Sequence, residues 1–480
     1  MNSPEYYLAI DQGGHASRAI VFDQSANIIS QSESPIDTHT PNPDWVEHDP
    51  QQLIHATFQA IESSLQTLGS DKQYIKAAGI ASQRSSIACW NRNSGNALSP
   101  IISWQDRRQA DWLQQFEDKS DSIHTRTGLF LSPHYGASKM RWCLDNISAV
   151  KQAQQNNQLV IGPMASFLAY HLIRQRPLLA DPANASRTLL WNIETQDWDA
   201  SLLQLFGINK DILPPCCASS GNFGHLDIDG LNIPMTVISG DQSAALFAWG
   251  KPKLQTAYIN IGTGAFVQRP LTETKHSDKL LTSLAYKDGA YRCYTLEGTV
   301  NGAARALQWF AEQHAIKDID IEQQVADCLN KPITPPLFIN TTSGLGSPDW
   351  QTDIEPQFIG NGDIQARLLA IIESICFLIQ RNLDEMEYSI DKPDNITISG
   401  GLSKLNGLCQ RIADLSGINL IRPQQHEATA TGLAYLIAAR PLLWPAYKDS
   451  QTFTASNNPA LKQRFQQWST ALDKIIADKT

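Results

Sequence analysis

The chain has 480 residues, of which 42% are hydrophobic and 18% are charged, and its formal net charge is −10. A single hydrophobic core stops growing at about 250–300 residues, so the length predicts two large domains of an ordinary globular protein. A general nucleic-acid binder or a binder of acidic membranes needs a basic surface, and the acidic balance argues against both.

Cysteine usage and hydropathy exclude further classes. The eight cysteines are scattered without a Cys-x-x-Cys pair, which argues against a structural zinc site and a disulfide framework. Residues 1–7 lack the basic segment and apolar stretch of a secretory signal, and no run approaches the ~18 apolar residues of a spanning helix. We therefore expect a cytoplasmic protein without membrane insertion. A homo-oligomer is compatible with the sequence.

The chain opens with two short apolar runs, Tyr7–Ile10 and Ala19–Phe22, joined by a glycine-containing segment. This pattern predicts a strand, a turn and a strand. Glycine at a hairpin tip lets backbone N–H groups approach a phosphate, although most glycine hairpins are only turns. Asp11 beside the tip is a candidate Mg²⁺ ligand through water, and its alternative role is that of a turn-capping aspartate.

An alternation of helices and strands follows. Pro50–Leu68 has the helical spacing of apolar residues, and Tyr74–Ala81 has the composition of a buried strand that leads into Ser82-Gln83-Arg84. Continued alternation along the chain is typical of α/β lobes.

An acid and an amide, Asp241 and Gln242, follow the apolar run Val237–Ser239. A carboxylate at the carboxyl end of a strand in a cleft can accept a hydroxyl proton during group transfer. A helix N-cap is an equally good interpretation of these residues alone.

The opening pattern returns about one domain length later. Ala257–Ile261 runs into Gly262-Thr263-Gly264, and the apolar Ala265–Val267 follows. Two glycine tips in matching positions predict a duplicated lobe with a polyphosphate between the copies. The segment 249–253 has the Gly, Pro and charges of a junction, so we predict an N-terminal lobe at 1–250 and a C-terminal lobe at 251–480.

The second half also contains a long amphipathic pattern over Ala366–Met386 and a buried strand pattern over Asn395–Ile398. Ser399-Gly400-Gly401 follows the strand, with Asn406 beyond it, and glycines there let the chain lie against an adenine or ribose. A capped strand-to-helix turn is as consistent with these residues. The Pro-, Gly- and Asn-rich stretch from the 330s to the 360s is expected to be mostly loop.

Taken in order, these segments resemble the FGGY carbohydrate kinases, and within that family the glycerol kinases. The resemblance extends from about Tyr7 to Ala438 and is carried by Asp11-Gln12-Gly13, Ser17-Arg18, Ser82-Gln83-Arg84, Trp104-Gln105-Asp106-Arg107-Arg108, Gly128-Leu129, Leu131-Ser132-Pro133, Ala137-Ser138-Lys139-Met140-Arg141-Trp142, Asn184-Ala185-Ser186-Arg187-Thr188, Gly240-Asp241-Gln242, Gly262-Thr263-Gly264, Leu296-Glu297-Gly298 and Gly400-Gly401. It implies two ribonuclease-H-like lobes of the actin-like ATPase type, with ATP and Mg²⁺ in the cleft between them.

The resemblance also implies roles for single residues. Asp241 would be the general base, and Asp11 and Asp241 would help to place the metal. The acceptor, a small polyol or sugar, would be bound by Arg84, Ser85, Trp104, His134, Asp241 and Gln242. ATP would be bound by Gly13, Gly14, His15, Arg18, Gly262, Thr263, Gly264, Gln308, Gly400, Gly401 and Asn406.

The sequence departs from the family pattern at the acceptor and at the first tip. Glycerol kinases carry a glutamate where Ser85 stands and a tyrosine where His134 stands, and both family residues hydrogen-bond the acceptor. Loss of a charge-assisted hydrogen bond costs about 1.5–3 kcal/mol, enough to change the preferred substrate. Two hydroxyl residues are usual where Gly14 and His15 stand.

Four hypotheses follow. The first is an ATP-dependent kinase that transfers the γ-phosphate to a hydroxyl of glycerol or another small polyol, and the second is a ketose or aldose kinase of the same family. The third is a non-catalytic nucleotide-binding relative, and the fourth is an actin- or chaperone-like ATPase. Arg84, Trp104 and Gly240-Asp241-Gln242 favour the first two, because an ATPase needs no polyol pocket.

Overall fold

The computed structural model describes residues 4–315, 324–325, 327–329, 334–424, 427–442, 444 and 450–479. Its strands, in chain order, are β1 Tyr6–Gln12, β2 Ala16–Asp23, β3 Ile28–Pro35, β4 Glu47–His48, β5 Ile75–Ser82, β6 Ile87–Asn91, β7 Ile101–Ile102, β8 Leu159–Pro163, β9 Trp191–Asn192, β10 Asp197–Trp198, β11 His225–Ile228, β12 Leu231–Gly240, β13 Thr256–Ile261, β14 Ala265–Leu271, β15 Leu281–Asp288, β16 Tyr291–Val300, β17 Leu337–Ile339, β18 Gln357–Ile359, β19 Asn395–Ser399, β20 Asn419–Arg422 and β21 Gln451–Phe453.

The helices are α1 Pro50–Leu68, α2 Ala110–Leu113, α3 Ser120–Thr127, α4 Gly136–Asn146, α5 Ser148–Gln155, α6 Met164–Leu172, α7 Pro182–Ala185, α8 Ala200–Phe206, α9 Asp241–Ala245, α10 Ala304–His314, α11 Ile364–Glu387, α12 Asn406–Ser416, α13 Ala428–Ile437 and α14 Pro459–Ala477. Local chemistry explains α1, since Pro50 stands in its first turn and the Asp49 carboxylate accepts from Gln51 N at 2.7 Å and Gln52 N at 2.9 Å.

Each half of the chain builds one large sheet. The first has the strand order β11-β12-β5-β1-β2-β3, and within the described residues the second has β15-β16-β14-β13-β19-β20-β21. In both, an antiparallel meander (β1-β2-β3, β13-β14-β16) is extended by parallel strands (β5 and β12, β19 and β20). This repeated order confirms the duplicated α/β lobe with a ribonuclease-H-like topology.

Two predicted elements shift in the structure. The first tip comprises only residues 13–15, because antiparallel pairing continues through Asp11 with Arg18 and Gln12 with Ser17. Asp241 is the first residue of α9, and the N-cap residue is Gly240, so the N-cap interpretation of Asp241 is wrong. The expected loop stretch contains, within the described residues 334–363, only the short β17 and β18 as strands; residues 330–333 lie outside the description.

The helices cover the sheets with separate cores. The second core is organised around α11, whose residues Leu368–Ile379 are buried together. A further cluster joins the halves, where Ala244 and Phe247, at and just beyond the end of α9, pack with Leu433 and Tyr435 of α13. Among the described helices, none is long and apolar enough to cross a membrane.

Candidate active site

Three candidate residues come from the carboxyl ends of neighbouring parallel strands. Asp11 on β1 lies in register with Ala81 of β5, and Gly240 of β12 lies in register with Ser82. Arg84 follows β5 and Asp241 follows β12. Parallel strands end at the same edge of a sheet, so these three side chains are brought together, and Arg84 Nε lies 3.9 Å from Asp241 Oδ1.

A cavity of about 150 Å³ opens at this edge. It lies between the halves of the chain, and its lining combines predicted and unpredicted residues: Asp11, Arg18, Asp241, Gln242, Ala245, Asn260, Gly400, Glu427, Ala428 and Thr429. Asp11, Arg18, Asp241 and Gln242 come from the first half and Asn260, Gly400 and Glu427 from the second. The cleft expected between the lobes is therefore present.

The acids of this cavity are electrostatically crowded. Burial, with the nearby charges of Asp241 and Glu427, raises the pKa of Asp11 to about 7. Burial also raises the pKa of Asp241, while Arg84 and the Gln242 N–H, which donates to Asp241 Oδ1 at 2.7 Å, oppose that rise. Carboxylates held this way gain from a cation or from protonation.

Arg18 spans the cleft. Its Nη1 lies 3.2 Å from Glu427 Oε2 of the second half and its Nε lies 3.3 Å from Glu33. The arginine is therefore already paired on both sides, and a phosphate there would compete with two carboxylates.

The first glycine tip is short and anchored. Gly13 N donates to Ala16 O at 3.1 Å and Ile36 N donates to His15 O at 2.9 Å. Behind the tip, the buried amide of Gln12 accepts from Ser17 Oγ at 2.6 Å and from Thr57 Oγ1 at 3.1 Å. His15 is exposed at the tip, outside the set of residues that line the cavity.

The second tip is tied to the start of α10. Gly262 N donates to Gly264 O at 2.8 Å, and the carbonyl groups of Gly262 and Thr263 accept from the N–H groups of residues 303–305 at 2.9–3.1 Å. These bonds satisfy donors that a helix start otherwise leaves open. The side chain of Thr263 remains exposed at the tip.

The predicted adenosine residues are spread over three elements. Gly400 lines the cavity after β19, and Gly401 begins the short 3₁₀ turn that follows. Gln308 is exposed on α10. Asn406, at the start of α12, accepts a hydrogen bond at its Oδ1 from Arg422 Nη2 at 2.8 Å, and this bond orients the amide.

The predicted acceptor residues form one cluster beside Asp241. Trp104 N donates to Ser86 Oγ at 3.0 Å, and the Trp104 and His134 rings meet edge to face with centroids 5.3 Å apart. Lys139 of α4, which is 1% exposed, connects the backbone segments that carry these residues. Its Nζ donates to the carbonyl oxygens of His134, of Ser85 at 3.4 Å and of Tyr135 at 3.5 Å.

The two residues that depart from the family pattern have unusual surroundings. Ser85 is 2% exposed, adopts the left-handed φ of +65°, and its Oγ has no hydrogen-bond partner among the described residues. Burial and then Lys139 and neighbouring arginines hold the pKa of His134 well below its usual value, so its ring is neutral. The cluster thus offers a hydroxyl and a neutral imidazole.

Several site residues escaped the sequence analysis. Asn260, Glu427 and Thr429 line the cavity, and Thr429 Oγ1 donates to Asp241 O at 3.4 Å. Lys139, Arg187 and Glu297 stood in resembling segments but had no assigned role. Glu427 has no local signature, because what marks it is an ion pair with Arg18, far along the chain. Lys139 bonds to the nearby carbonyl groups of His134 and Tyr135, and only its contact with Ser85 lies far along the chain.

Comparisons with known proteins agree over nearly the whole chain. The model of the N-terminal domain of the FGGY family of carbohydrate kinases matches residues 6–248, and the C-terminal domain model matches residues 257–440. A glycerol kinase of Ralstonia nicotianae is 32% identical over 491 residues, covering 98% of each chain. A glycerol kinase of Shewanella frigidimarina is 33% identical over 466 residues, covering 94% of this chain and 92% of that one.

Solved structures give the same architecture. The crystal structure of Plasmodium falciparum glycerol kinase with ADP superposes with a TM-score of 0.89 at 24% identity, covering 99% of each chain. A ligand-bound xylulose kinase of Lactobacillus acidophilus gives a TM-score of 0.84 at 18% identity, covering 98% of this chain and 97% of that one. At such identities the likeness concerns the fold.

Proposed function

The chain belongs to the FGGY family of carbohydrate kinases, and from this premise we propose that it transfers the γ-phosphate of ATP to a hydroxyl of a small uncharged polyol, with glycerol the first candidate. The observation that carries the proposal is the convergence of Asp241 with Arg84 and Asp11 at one sheet edge. The curated relatives named glycerol kinase support this acceptor.

We assign the general base to Asp241. It lies in the cleft at the start of α9, 3.9 Å from the guanidinium of Arg84. Burial raises the pKa of its carboxyl, and a more basic carboxylate is a better acceptor of a hydroxyl proton. The acceptor hydroxyl would therefore give its proton to Asp241 as the oxygen attacks phosphorus.

Asp11 and Asp241 fit a magnesium ion. Mg²⁺ usually takes one or two protein carboxylates and completes its shell with water and phosphate oxygens. These two acids line one cavity, and across the described chain no cluster of three His, Cys, Asp or Glu offers a self-sufficient metal site. When bound, the ion supplies positive charge that neutralises the phosphoryl group.

The nucleotide would lie across the cleft. We propose that Gly13, Gly14, His15 and Arg18 meet phosphates from the first lobe and Gly262, Thr263 and Gly264 from the second. Gly400 and Gly401 would lie along the nucleoside, joined by Gln308 and Asn406. The open space beside Gly14 and Gly262 supports this, since a Cβ at either would meet nothing within 4 Å and a phosphate can approach the backbone there.

Charge balance favours an uncharged acceptor. Beside the acceptor residues, the buried arginines Arg84 and Arg187 face the carboxylates Asp241 and Glu297. Two positive and two negative charges cancel among these four groups, so they offer no unpaired cation to a sugar acid, and burial of an unpaired charge is costly. Trp104, His134 and Gln242 would complete the polyol contacts.

A ketose is the second candidate, and one observation favours it. Within the part of the chain that the structure describes, the Ser85 hydroxyl is buried without a hydrogen-bond partner. Serine is also shorter than the glutamate of glycerol kinases, which leaves room for another oxygen-bearing carbon. A buried polar group without a partner is costly, so an acceptor oxygen there would gain binding energy.

We further propose that the lobes divide at about residue 250 and that the protein is cytoplasmic. The cysteines support that location, because Cys89, Cys143, Cys216, Cys217, Cys293, Cys376 and Cys409 are free thiols, which a reducing compartment maintains.

A screen of ADP release over polyols, ketoses, aldoses and sugar acids tests the acceptor. We expect the largest kcat/KM for glycerol or another uncharged polyol, ketoses next, and no stimulation by sugar acids. A sugar acid as the preferred acceptor would contradict the charge-balance argument.

A further inference from the structure

A buried ion cluster joins the acceptor residues to the second sheet. Glu297 on β16 is 1% exposed. Its Oε1 lies 3.8 Å from Arg84 Nη1, and its Oε2 accepts a hydrogen bond from Arg187 Nη2. The arginine side chains are themselves only 8% and 4% exposed. One acid of the second lobe therefore holds two guanidinium groups of the first.

The cluster depends on the charge of Glu297. Burial alone would raise the pKa of this carboxyl, but Arg187, Arg84 and the hydrogen bond from Thr295 Oγ1 at 2.8 Å bring it to about 2. Arg84 and Arg187 lie close enough that each disfavours the charge of the other. Without the carboxylate, two buried cations would face each other.

The aliphatic part of the Arg84 side chain has close contacts, as its guanidinium group does. A Cβ at Gly240 would lie 2.6 Å from Arg84 Cγ and Cδ, so the stem packs directly on the strand that carries Asp241. Arg84 Nη1 lies 3.8 Å from Glu297 Oε1 and Arg84 Nε lies 3.9 Å from Asp241 Oδ1, and both separations are longer than a hydrogen bond. Arg84 therefore stands between the two acids, with the charge of Glu297 opposing the attraction of Asp241.

We propose that Glu297 is a positioning residue for the acceptor site: it holds Arg84 away from Asp241, so that both groups remain available to the polyol. This inference rests on the proposed function. Loss of the Glu297 charge leaves Asp241 as the one carboxylate within 4 Å of Arg84 in the described chain. Arg84 then closes on Asp241 and takes the place of the acceptor hydroxyl, while the nucleotide residues keep their positions.

The test compares two isosteric substitutions of buried acids in the same lobe. Glu297→Gln removes the proposed positioning charge. Glu373→Gln on α11 is the matched control, because Glu373 is 5% exposed and pairs with Arg464 at 2.6 Å, away from the acceptor residues. The measurements are KM for glycerol, kcat, and the Kd of MgADP by calorimetry.

In Glu297→Gln we expect the glycerol KM to rise by roughly tenfold or more, with the MgADP Kd within about twofold of wild type. Glu297→Asp, which keeps the charge, should recover part of the loss. Glu373→Gln should leave both constants unchanged. A folded Glu297→Gln with wild-type glycerol KM, or with glycerol and MgADP binding weakened alike, overturns the inference.

Two further measurements cover the cases in which Glu297→Gln does not fold or the wild type shows no activity. If Glu297→Gln does not fold, Thr295→Val removes the hydrogen bond that fixes Oε1, the oxygen that faces Arg84, so the charge remains but is no longer held towards Arg84. A several-fold rise in glycerol KM alone supports the inference, and no change overturns it. A wild type that phosphorylates no acceptor contradicts the proposed function instead. In that case hydrogen exchange tests the inference. We expect residues 82–86 and 185–189 to exchange faster in Glu297→Gln than in Glu373→Gln. Equal exchange in the two variants overturns the inference.

Discussion

Burial and neighbouring charges act in opposite directions on the protonation of single side chains at the cleft. Burial raises the pKa of Asp241, while Arg84 and a backbone N–H oppose the rise. The same arginine is shared with Glu297 at 3.8 Å. The chemistry of the site therefore depends on a small set of buried charged groups, and isosteric substitutions are the appropriate probes.

Replacement of the proposed base tests its role directly. Asp241→Asn keeps the size and removes the proton acceptor, so we expect kcat to fall by about 10²–10⁴-fold. MgADP binding, measured by calorimetry, should show a folded and nucleotide-competent cleft. Turnover within a few-fold of wild type would contradict the assignment of Asp241.

The acceptor pocket offers a gain-of-function test. Ser85→Glu with His134→Tyr introduces the side chains that glycerol kinases carry, so kcat/KM for glycerol should rise relative to that for ketoses. The reason is a restored charge-assisted hydrogen bond, which contributes about 1.5–3 kcal/mol. No gain in a folded variant that binds MgADP would mean that the backbone at Ser85, with its φ of +65°, sets the preference.

Which residues the sequence revealed follows from the range of their contacts. Asp11, Asp241 and the glycine tips lie at strand ends, so apolar pattern and motif place them. Glu427 acts through an ion pair with Arg18, and Lys139 acts in part through a bond to Ser85 O, and both partners are distant in the chain. No local pattern encodes such a contact.

At the scale of elements, the parallel strands and one helix crossing define the cleft. Helices α9 and α13 meet so closely that a Cβ at Gly432 would lie 1.8 Å from Ala244 O. The crossing brings the start of α13, with Glu427 before it and Thr429 in its first turn, against Asp241.

Gly432→Ala should therefore separate the two helices. Overpacking costs typically about 1–3 kcal/mol, and the shift reaches Asp241, so we expect both a lower midpoint of chemical unfolding and a lower kcat. Gly14→Ala is the control for stability, because a Cβ there meets nothing within 4 Å. Its unfolding midpoint should equal that of wild type. Its MgATP binding should be weaker, because the methyl group enlarges the tip. Equal unfolding midpoints for Gly432→Ala and wild type would contradict the tight crossing.

Elements were easier to predict than their ends. The helix at Pro50–Leu68 has the predicted bounds because Asp49 and Pro50 mark its start. The first hairpin tip is shorter than predicted, since cross-strand pairing extends through polar residues that carry no apolar signal.

For the whole molecule, duplication was visible in the sequence because each lobe opens with the same hairpin. The link between the lobes was not, because it consists of single buried contacts such as Glu297 with Arg84 and Arg187. Because these contacts require an ionised Glu297, they also make the free energy of unfolding depend on pH.

Lowering the pH should reduce the stabilisation that charged Glu297 gives to the folded state. Its folded pKa of about 2 lies below the unfolded value of 4.5, so its charge stabilises the fold above pH 4.5 and the gain is lost as pH falls towards 2. A difference of this size corresponds to about 3 kcal/mol. Unfolding midpoints of wild type and Glu297→Gln should differ at pH 7 and converge only as pH falls to about 2; a constant difference would contradict an ionised Glu297.

The central claim is that the cleft passes a phosphoryl group from ATP to a polyol through Asp241. The most direct measurement follows the label from γ-³²P-ATP with glycerol present, in wild type and in Asp241→Asn. The account predicts Mg²⁺-dependent label in a glycerol phosphate for wild type and almost none for the variant. Label released only as inorganic phosphate, at equal rates with and without glycerol or any other polyol, would contradict it.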